Sequence, residues 1–505
     1  MVSPASMSSQ TIPKASRARS YTRRRAKIVA ALGPSVFGID NLRQLVAAGM
    51  DVARINSAHG TLEQRAELIG DLRTIERETG RHIPILLDLR GLKLRTGPLA
   101  GEQAVPLARG SQVHLFPGPV ETTFEQVGIN YERLLEVLEP GERVLLADGL
   151  IELLVEEIGP ESARCSVGRG GPLASGQGAT LPNLQLQDAA ITDLDRDDIA
   201  FAAEYGIEFL GLSFLSTDED IYQARRIALS YGAQPGIVAK IERPYALGQI
   251  EPIARAADAV MVARGDLGVQ LPPEQVPRAQ KEIVRVCNWL GTPVITATQM
   301  LESMIMQPVP TRAETSDVAN AIFDGSDAVM LSAETATGRY PFEAVQMMDR
   351  IIRETEKEGA IRPAGIIDAA PTENAENPVT AALGRATRSL TDSALVQAVV
   401  VFTLSGASAR LVARNRPNAP IFAITTDPYV ARRLSLLWGV RAFVLPLVDD
   451  LDRLIETASD LLVATGELEP GLEALFVGSL PVFRVSGRTN LIHVRVIEER
   501  ASASS

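Results

Sequence analysis

The chain has 505 residues, enough for roughly three domains at ~150 residues each. Its 50 basic and 62 acidic residues leave a net charge of −12, which argues against nonspecific binding to nucleic acid or an anionic membrane. Cys165 and Cys287 are the only cysteines, too few for a disulfide framework or a Cys-rich zinc site, and no apolar run reaches the ~18 residues of a membrane helix. A soluble, cytoplasmic protein without nucleic-acid or membrane partners is expected.

The N-terminal stretch to Lys27 carries seven basic residues and no acid. A flexible basic tail over residues 1–22 and an organelle transit peptide both fit this composition; the missing amphipathic periodicity favours the tail. Short apolar runs rich in β-formers then alternate with helical periodicity. They fall at Lys27–Leu32, Val52–Asn56, Ile83–Asp88, Glu208–Ser213, Gly236–Ile241, Asp258–Ala263, Pro293–Ala297 and Asp327–Leu331. Gly49 suits a helix C-terminus, and Thr61 with Gln64 and Thr311 with Glu314 have capping-box spacing. Eight strand–helix units predict a closed parallel (β/α)8 barrel.

Residues 89–207 are too long for an ordinary βα connection. The runs Gln112–Phe116 and Val144–Val155 inside them predict an inserted β-rich domain over 97–187. Such a domain would leave from the catalytic face and act as a lid between barrel parts 23–96 and 188–359. Strand patterns at Val399–Thr403, Pro420–Thr425 and Arg441–Leu445 predict a C-terminal α/β domain over 360–505.

The polar residues lie where the strands should end. Arg54 and Asn56 close the second strand, Asp88 the third, Lys240 and Glu242 the fifth; Asp266 follows the sixth and Thr298 the seventh. Ion pairing along the rim explains any one of them, but not so many on successive strands. Glu242 and Asp266 offer two hard oxygen ligands suited to Mg²⁺, and Lys240 and Arg54 a cationic pair suited to phosphoryl or carboxylate groups. Cys287 reads as helix core.

Several strings resemble the pyruvate kinase family: Ile237-Val-Ala-Lys-Ile-Glu242, Met261-Val-Ala-Arg-Gly-Asp-Leu-Gly268, Ala297-Thr-Gln-Met-Leu-Glu-Ser-Met304, Pro310-Thr-Arg-Ala-Glu-Thr-Ser-Asp-Val-Ala-Asn320 and Met330-Leu-Ser-Ala-Glu-Thr-Ala336. The resemblance implies phosphoryl transfer from phosphoenolpyruvate to ADP, giving pyruvate and ATP, with two Mg²⁺ per site in turnover and a homotetramer. It implies Glu242 and Asp266 as metal ligands, and Lys240 and Arg54 on the phosphoryl group. Ala263, Arg264 and Gly265 would face the substrate carboxylate with Asp266, and Thr298 and Ser332 would stand in the proton relay. Arg54, Asn56, His59 and Arg95 would lie around the nucleotide. For His59 a catalytic base is the less economical reading, and Asp148 matches a family Asp-Gly pair but fits a turn equally well.

The chain also departs from that family. Two of four potassium-ligand positions hold Ala58 and Leu89, while Asn56 and Asp88 remain. Lys93, in Gly91-Leu-Lys-Leu-Arg-Thr-Gly97, stands where the family has Glu. A tethered ammonium at Lys93, beside Asn56 and Asp88, is therefore expected to replace potassium. Gln177 replaces a lid lysine. Thr403, Ser405, Gly406 and Ser408 resemble an effector phosphate loop, with a plain capping turn as the alternative. Leu480-Pro-Val-Phe-Arg-Val-Ser486 lacks the Trp of the fructose-bisphosphate site, so a sugar monophosphate or AMP is the expected effector. A Mg²⁺-dependent lyase on a related barrel and a non-catalytic effector-binding relative are the competing functions.

Overall fold

The computed structural model describes residues 24–101, 103–182, 191–357, 361, 378–448, 450–479 and 489–498. The basic tail, the expected boundaries at 187/188 and 359/360, and the loop at 480–486 lie outside them.

Eight parallel strands close into a barrel in the order Lys27–Ala31, Ala328–Leu331, Val294–Ala297, Ala259–Ala263, Gly236–Ile241, Phe209–Leu212, Ile85–Asp88 and Val52–Asn56. Their side chains are almost wholly buried, as strands covered on both faces must be. Both expected capping boxes form, Thr61 with Gln64 and Thr311 with Glu314, and Gly49 closes the first long helix at φ 125°. Cys287 is fully buried in the barrel core, and burial pushes its thiol pKa up.

Five of the expected strands begin one or two residues later than their sequence pattern, at Ile85, Phe209, Ala259, Val294 and Ala328. For the three expected to open on Glu208, Asp258 and Asp327, the difference has a physical cause at the barrel's N-terminal face. Asp51, Glu208, Asp258 and Asp327 stand just before alternate strands and accept the amides of Ile28, Ile85, Ile237 and Val294 at 2.8–2.9 Å. Each also pairs with an arginine. Arg24 serves Asp51, while Arg432, Arg433 and Arg416 of the C-terminal domain serve Glu208, Asp258 and Asp327. The α/β domain thus docks on the face opposite the catalytic rim.

The insertion carries a six-stranded sheet in the order Ala179–Thr180, Arg143–Leu146, Ile151–Ile158, Ala163–Arg169, Gln112–Pro117 and Gln126–Ile129. The β-like run from Val144 to Val155 is a hairpin, because Ala147 and Asp148 take φ 53° and 52° and reverse the chain before Gly149. The C-terminal sheet has five strands rather than three. Glu473–Gly478 and an antiparallel Leu491–Val496 extend Ala398–Phe402, Ile421–Thr425 and Val440–Val444.

Candidate active site

The rim residues converge because parallel strands present their last side chains at one mouth. Lys240 is their centre. Its ammonium lies 2.7 Å from Oε1 of Glu242 and 3.2 Å from Oδ1 of Asp88, and donates to the Ser213 hydroxyl at 2.7 Å. Burial alone would lower the Lys240 pKa, but the Asp88 and Glu242 carboxylates raise it, so the side chain stays charged. Arg54 pairs with Oδ2 of Asp88 through Nε at 3.1 Å and through a second guanidinium nitrogen. Burial would lift the Asp88 carboxyl, yet Lys240 and Arg54 hold it below the usual carboxylate range.

The other Glu242 oxygen accepts the Phe214 amide at 2.6 Å. Burial lifts the Glu242 carboxyl, Lys240 opposes that, and the nearby Asp266 charge lifts it further. Two carboxylates in each other's field, next to open space, are an arrangement that a divalent cation relieves. No cluster of three His, Cys, Asp or Glu able to hold a metal occurs among the described residues. Glu242 and Asp266 therefore suit Mg²⁺, which accepts one or two carboxylates and fills its shell with water and substrate oxygens.

Thr298 follows the seventh strand at φ 67°, with Gln299 at φ 54°. A β-branched residue in this region is strained. Arg264 holds the turn: its guanidinium donates to the carbonyls of Ala297, Thr298 and Gln299 at 2.7–3.3 Å and pairs with Asp317 at 2.7 Å. Its side chain is thus committed to the protein, which leaves backbone groups of Ala263, Arg264 and Gly265 for the expected carboxylate. The Gly265 amide in turn donates to the Thr298 hydroxyl at 2.7 Å. Among the described residues Ser332 keeps a buried Oγ without a hydrogen-bond partner, and its amide is held by Glu334 at 2.7 Å.

Around the expected nucleotide, the Asn56 side chain accepts the Ala58 amide at 3.0 Å, His59 is exposed, and Arg95 donates to the Gly176 carbonyl at 2.9 Å. The Leu89 side chain is buried and carries no oxygen, while its carbonyl accepts the Ser213 hydroxyl at 2.8 Å. Lys93 is not brought to Asn56 or Asp88. It is exposed and lines the crevice between lid and barrel, and Asp88 is balanced by Arg54 and Lys240 instead.

In the C-terminal domain, the Thr403 hydroxyl accepts the Gly406 amide at 3.0 Å, Ser408 bonds Thr489 at 2.8 Å, and Ser405 is exposed. Gly406, at φ 91°, precedes the helix Ala407–Arg414.

Sequence reasoning missed Ser213 and Phe214, which orient Lys240 and Glu242, and Glu334, which orients Ser332. For Ser213 the signal was a hydroxyl at the end of an otherwise apolar strand. Phe214 acts through its backbone, at φ 55°, and left none.

A closed parallel barrel with a paired lysine, two carboxylates and an arginine at its C-terminal mouth defines an enzyme site for anion and metal chemistry, and the comparisons make it that of a phosphotransferase. The family described as "Pyruvate kinase, barrel domain" matches residues 23–345, and "Pyruvate kinase, alpha/beta domain" matches 381–495. A pyruvate kinase of Geobacillus stearothermophilus is 40% identical over 94% of this chain and 81% of its own length. One from Mycobacterium tuberculosis is 37% identical over 94% and 99%. The crystal structure of a pyruvate kinase from Cryptosporidium parvum superposes with a TM-score of 0.87 at 32% identity, covering 94% of this chain and 96% of that one. The chain belongs to the pyruvate kinase family. Among the described residues no helix is long and apolar enough to cross a membrane.

Proposed function

We propose that this site moves the phosphoryl group of phosphoenolpyruvate to ADP and then protonates the enolate to pyruvate. The observation that carries this reading is Lys240, a buried cation held by Asp88, Glu242 and Ser213 at the barrel mouth. Its charge offsets that of the phosphoryl group in flight, and Arg54 grips the same group from the Asp88 side; positioning and electrostatics do most of the catalysis in such transfers. The bound Mg²⁺ supplies Lewis-acid stabilisation of charge on substrate oxygens. Glu242 and Asp266 hold it, and a second Mg²⁺ enters with ADP. Thr298 and Ser332 belong to the proton relay on the enolate face. A threonine hydroxyl is too weak an acid to deliver that proton alone, so ordered water completes the relay.

Arg54, Asn56, His59 and Arg95 surround the nucleotide beneath a lid spanning 97–187, with the barrel at 23–96 and 188–359, the α/β domain at 360–505 and the tail at 1–22. The side chains of Ala58 and Leu89 give no oxygen to potassium, and the reaction proceeds without it, with Lys93 supplying positive charge. The loop at Thr403–Ser408 takes the phosphate of a sugar monophosphate or AMP. The enzyme is a cytoplasmic homotetramer.

Lys240→Met tests the central assignment. A loss of at least ~10³-fold in kcat, with the fold retained by circular dichroism, is expected from removing a preorganised charge at the transferring group; activity near wild type would remove Lys240 from the reaction. For the loop, activation by a monophosphate should vanish in Ser408→Glu. Persistence of that activation, or activation by fructose 1,6-bisphosphate alone, would rule the loop out.

A further inference from the structure

The open crevice between lid and barrel is lined by Lys93, Asp148, Gly178, Phe214, Arg243 and Asp266 among others. Arg243 directly follows the metal-site residue Glu242 in the chain. Among the described residues its guanidinium makes no hydrogen bond and no ion pair; its close contact is the Phe214 ring, 5.4 Å below. Four arginines nearer the rim are engaged: Arg54 with Asp88, Arg65 and Arg90 with Asp198, Arg264 with Asp317.

Its freedom is not for want of nearby acids. Glu242 and Asp220 both act on it electrostatically. Glu242, however, is occupied by Lys240 and the Phe214 amide, and Asp220 receives the amides of Ser216 and Thr217 at 2.7 and 3.0 Å.

Local structure holds the side chain in place without using its donors. Pro244 keeps the backbone of Arg243 extended, at φ −120° and ψ 142°, and opens the next helix. Phe214 is fixed by its amide bond to Glu242 and by close packing on Gly91, where an added Cβ would lie 3.0 Å from the ring. Stacking on a ring face leaves the in-plane N–H edge of a guanidinium available, and that planar fork matches two oxygens of a phosphate. On the lid side of the same crevice, Gln177 has no charge to offer and its carbonyl oxygen accepts the Ala174 amide at 3.2 Å.

We propose that Arg243, with Lys93 also lining the crevice, is a binding residue for the diphosphate of the nucleotide, supplying the cationic contact that the lid lacks at Gln177. This rests on the preceding proposal that ADP binds beneath the lid, and extends that site into the crevice beside it. The phosphoryl group of phosphoenolpyruvate is served separately, by Lys240 and Arg54 around Asp88.

Steady-state kinetics on full-length Arg243→Met and Arg243→Lys, varying ADP and phosphoenolpyruvate separately, test it. Loss of a charge-assisted fork should raise the KM for ADP at least ~10-fold in the Met variant, leave the KM for phosphoenolpyruvate within ~2-fold, and be largely restored by Lys. An ADP KM within ~2-fold of wild type, or an equal rise in both KM values, overturns the proposal. Gly178→Leu separates this failure from that of the underlying assignment. An added Cβ at Gly178 already comes within 3.3 Å of Asp148 and 3.8 Å of Lys93, so a leucine fills the crevice. Loss of ADP binding in that variant supports the crevice as the nucleotide site. A wild-type KM for ADP there means that the nucleotide binds elsewhere, and the role of Arg243 falls with it.

Discussion

The Gly265 amide and the Thr298 hydroxyl are bonded to each other at 2.7 Å, across the ends of the sixth and seventh barrel strands. The amide expected to meet the substrate carboxylate thus already has a partner, and the hydroxyl also donates to the Ala297 carbonyl at 2.6 Å. Substrate must compete for that amide, which couples carboxylate binding to the position of Thr298. Thr298→Ser keeps the oxygen and removes the branch that strains φ 67°, so kcat should stay within ~5-fold. Thr298→Val leaves the Gly265 amide without its acceptor and should cost ~10²-fold, with slower exchange of the pyruvate methyl protons. Equal activity of the two variants would mean that the hydroxyl has no part in the reaction.

Asp266→Asn preserves volume and removes one charge from the metal pair. At least ~10²-fold loss of activity is expected, with a higher Mg²⁺ requirement. Wild-type turnover at saturating Mg²⁺ would assign the ligand elsewhere.

Exchange of potassium for sodium or a tetraalkylammonium ion at constant ionic strength should change turnover less than ~2-fold, since the side chains of Ala58 and Leu89 cannot coordinate a hard cation. Lys93→Met should cripple the enzyme, and added potassium should rescue it poorly. Lys93 lines the crevice, and Asp88 is paired with Arg54 and Lys240. Several-fold activation of the unmodified enzyme by potassium contradicts the assignment.

His82 lies at the barrel's N-terminal face, where burial first and Arg432 second push its pKa down to about 4. The folded protein therefore keeps it neutral, while the unfolded chain takes up a proton near its ordinary value of about 6.5. Stability is lost as pH falls from the unfolded value through the folded one, by about 3 kcal/mol in all. His82→Gln should lose correspondingly less between about pH 7 and about pH 4 in urea titrations. Parallel losses in both proteins would show that His82 is already solvated.

The barrel and the rim were legible because a polar residue at the end of an apolar strand breaks a simple pattern, as Arg54, Asp88 and Lys240 each do. The base of the barrel was not. Glu208, Asp258 and Asp327 read as the first residues of strands, and only the closed barrel shows them bonding the neighbouring strand's amide and an arginine of the C-terminal domain. In the lid hairpin Asp148 could be read as a turn residue, but Ala147, which takes positive φ without being glycine, could not. Arg264 lay inside a matched string, which placed its backbone near substrate but could not tell that its side chain braces Thr298.

The most direct measurement follows pyruvate formed from phosphoenolpyruvate with Mg²⁺, with and without ADP, while ATP is quantified in the same samples. The account predicts pyruvate only when ADP is present, with one ATP for each pyruvate. Pyruvate formed at the same rate without ADP, or none under either condition, would contradict it.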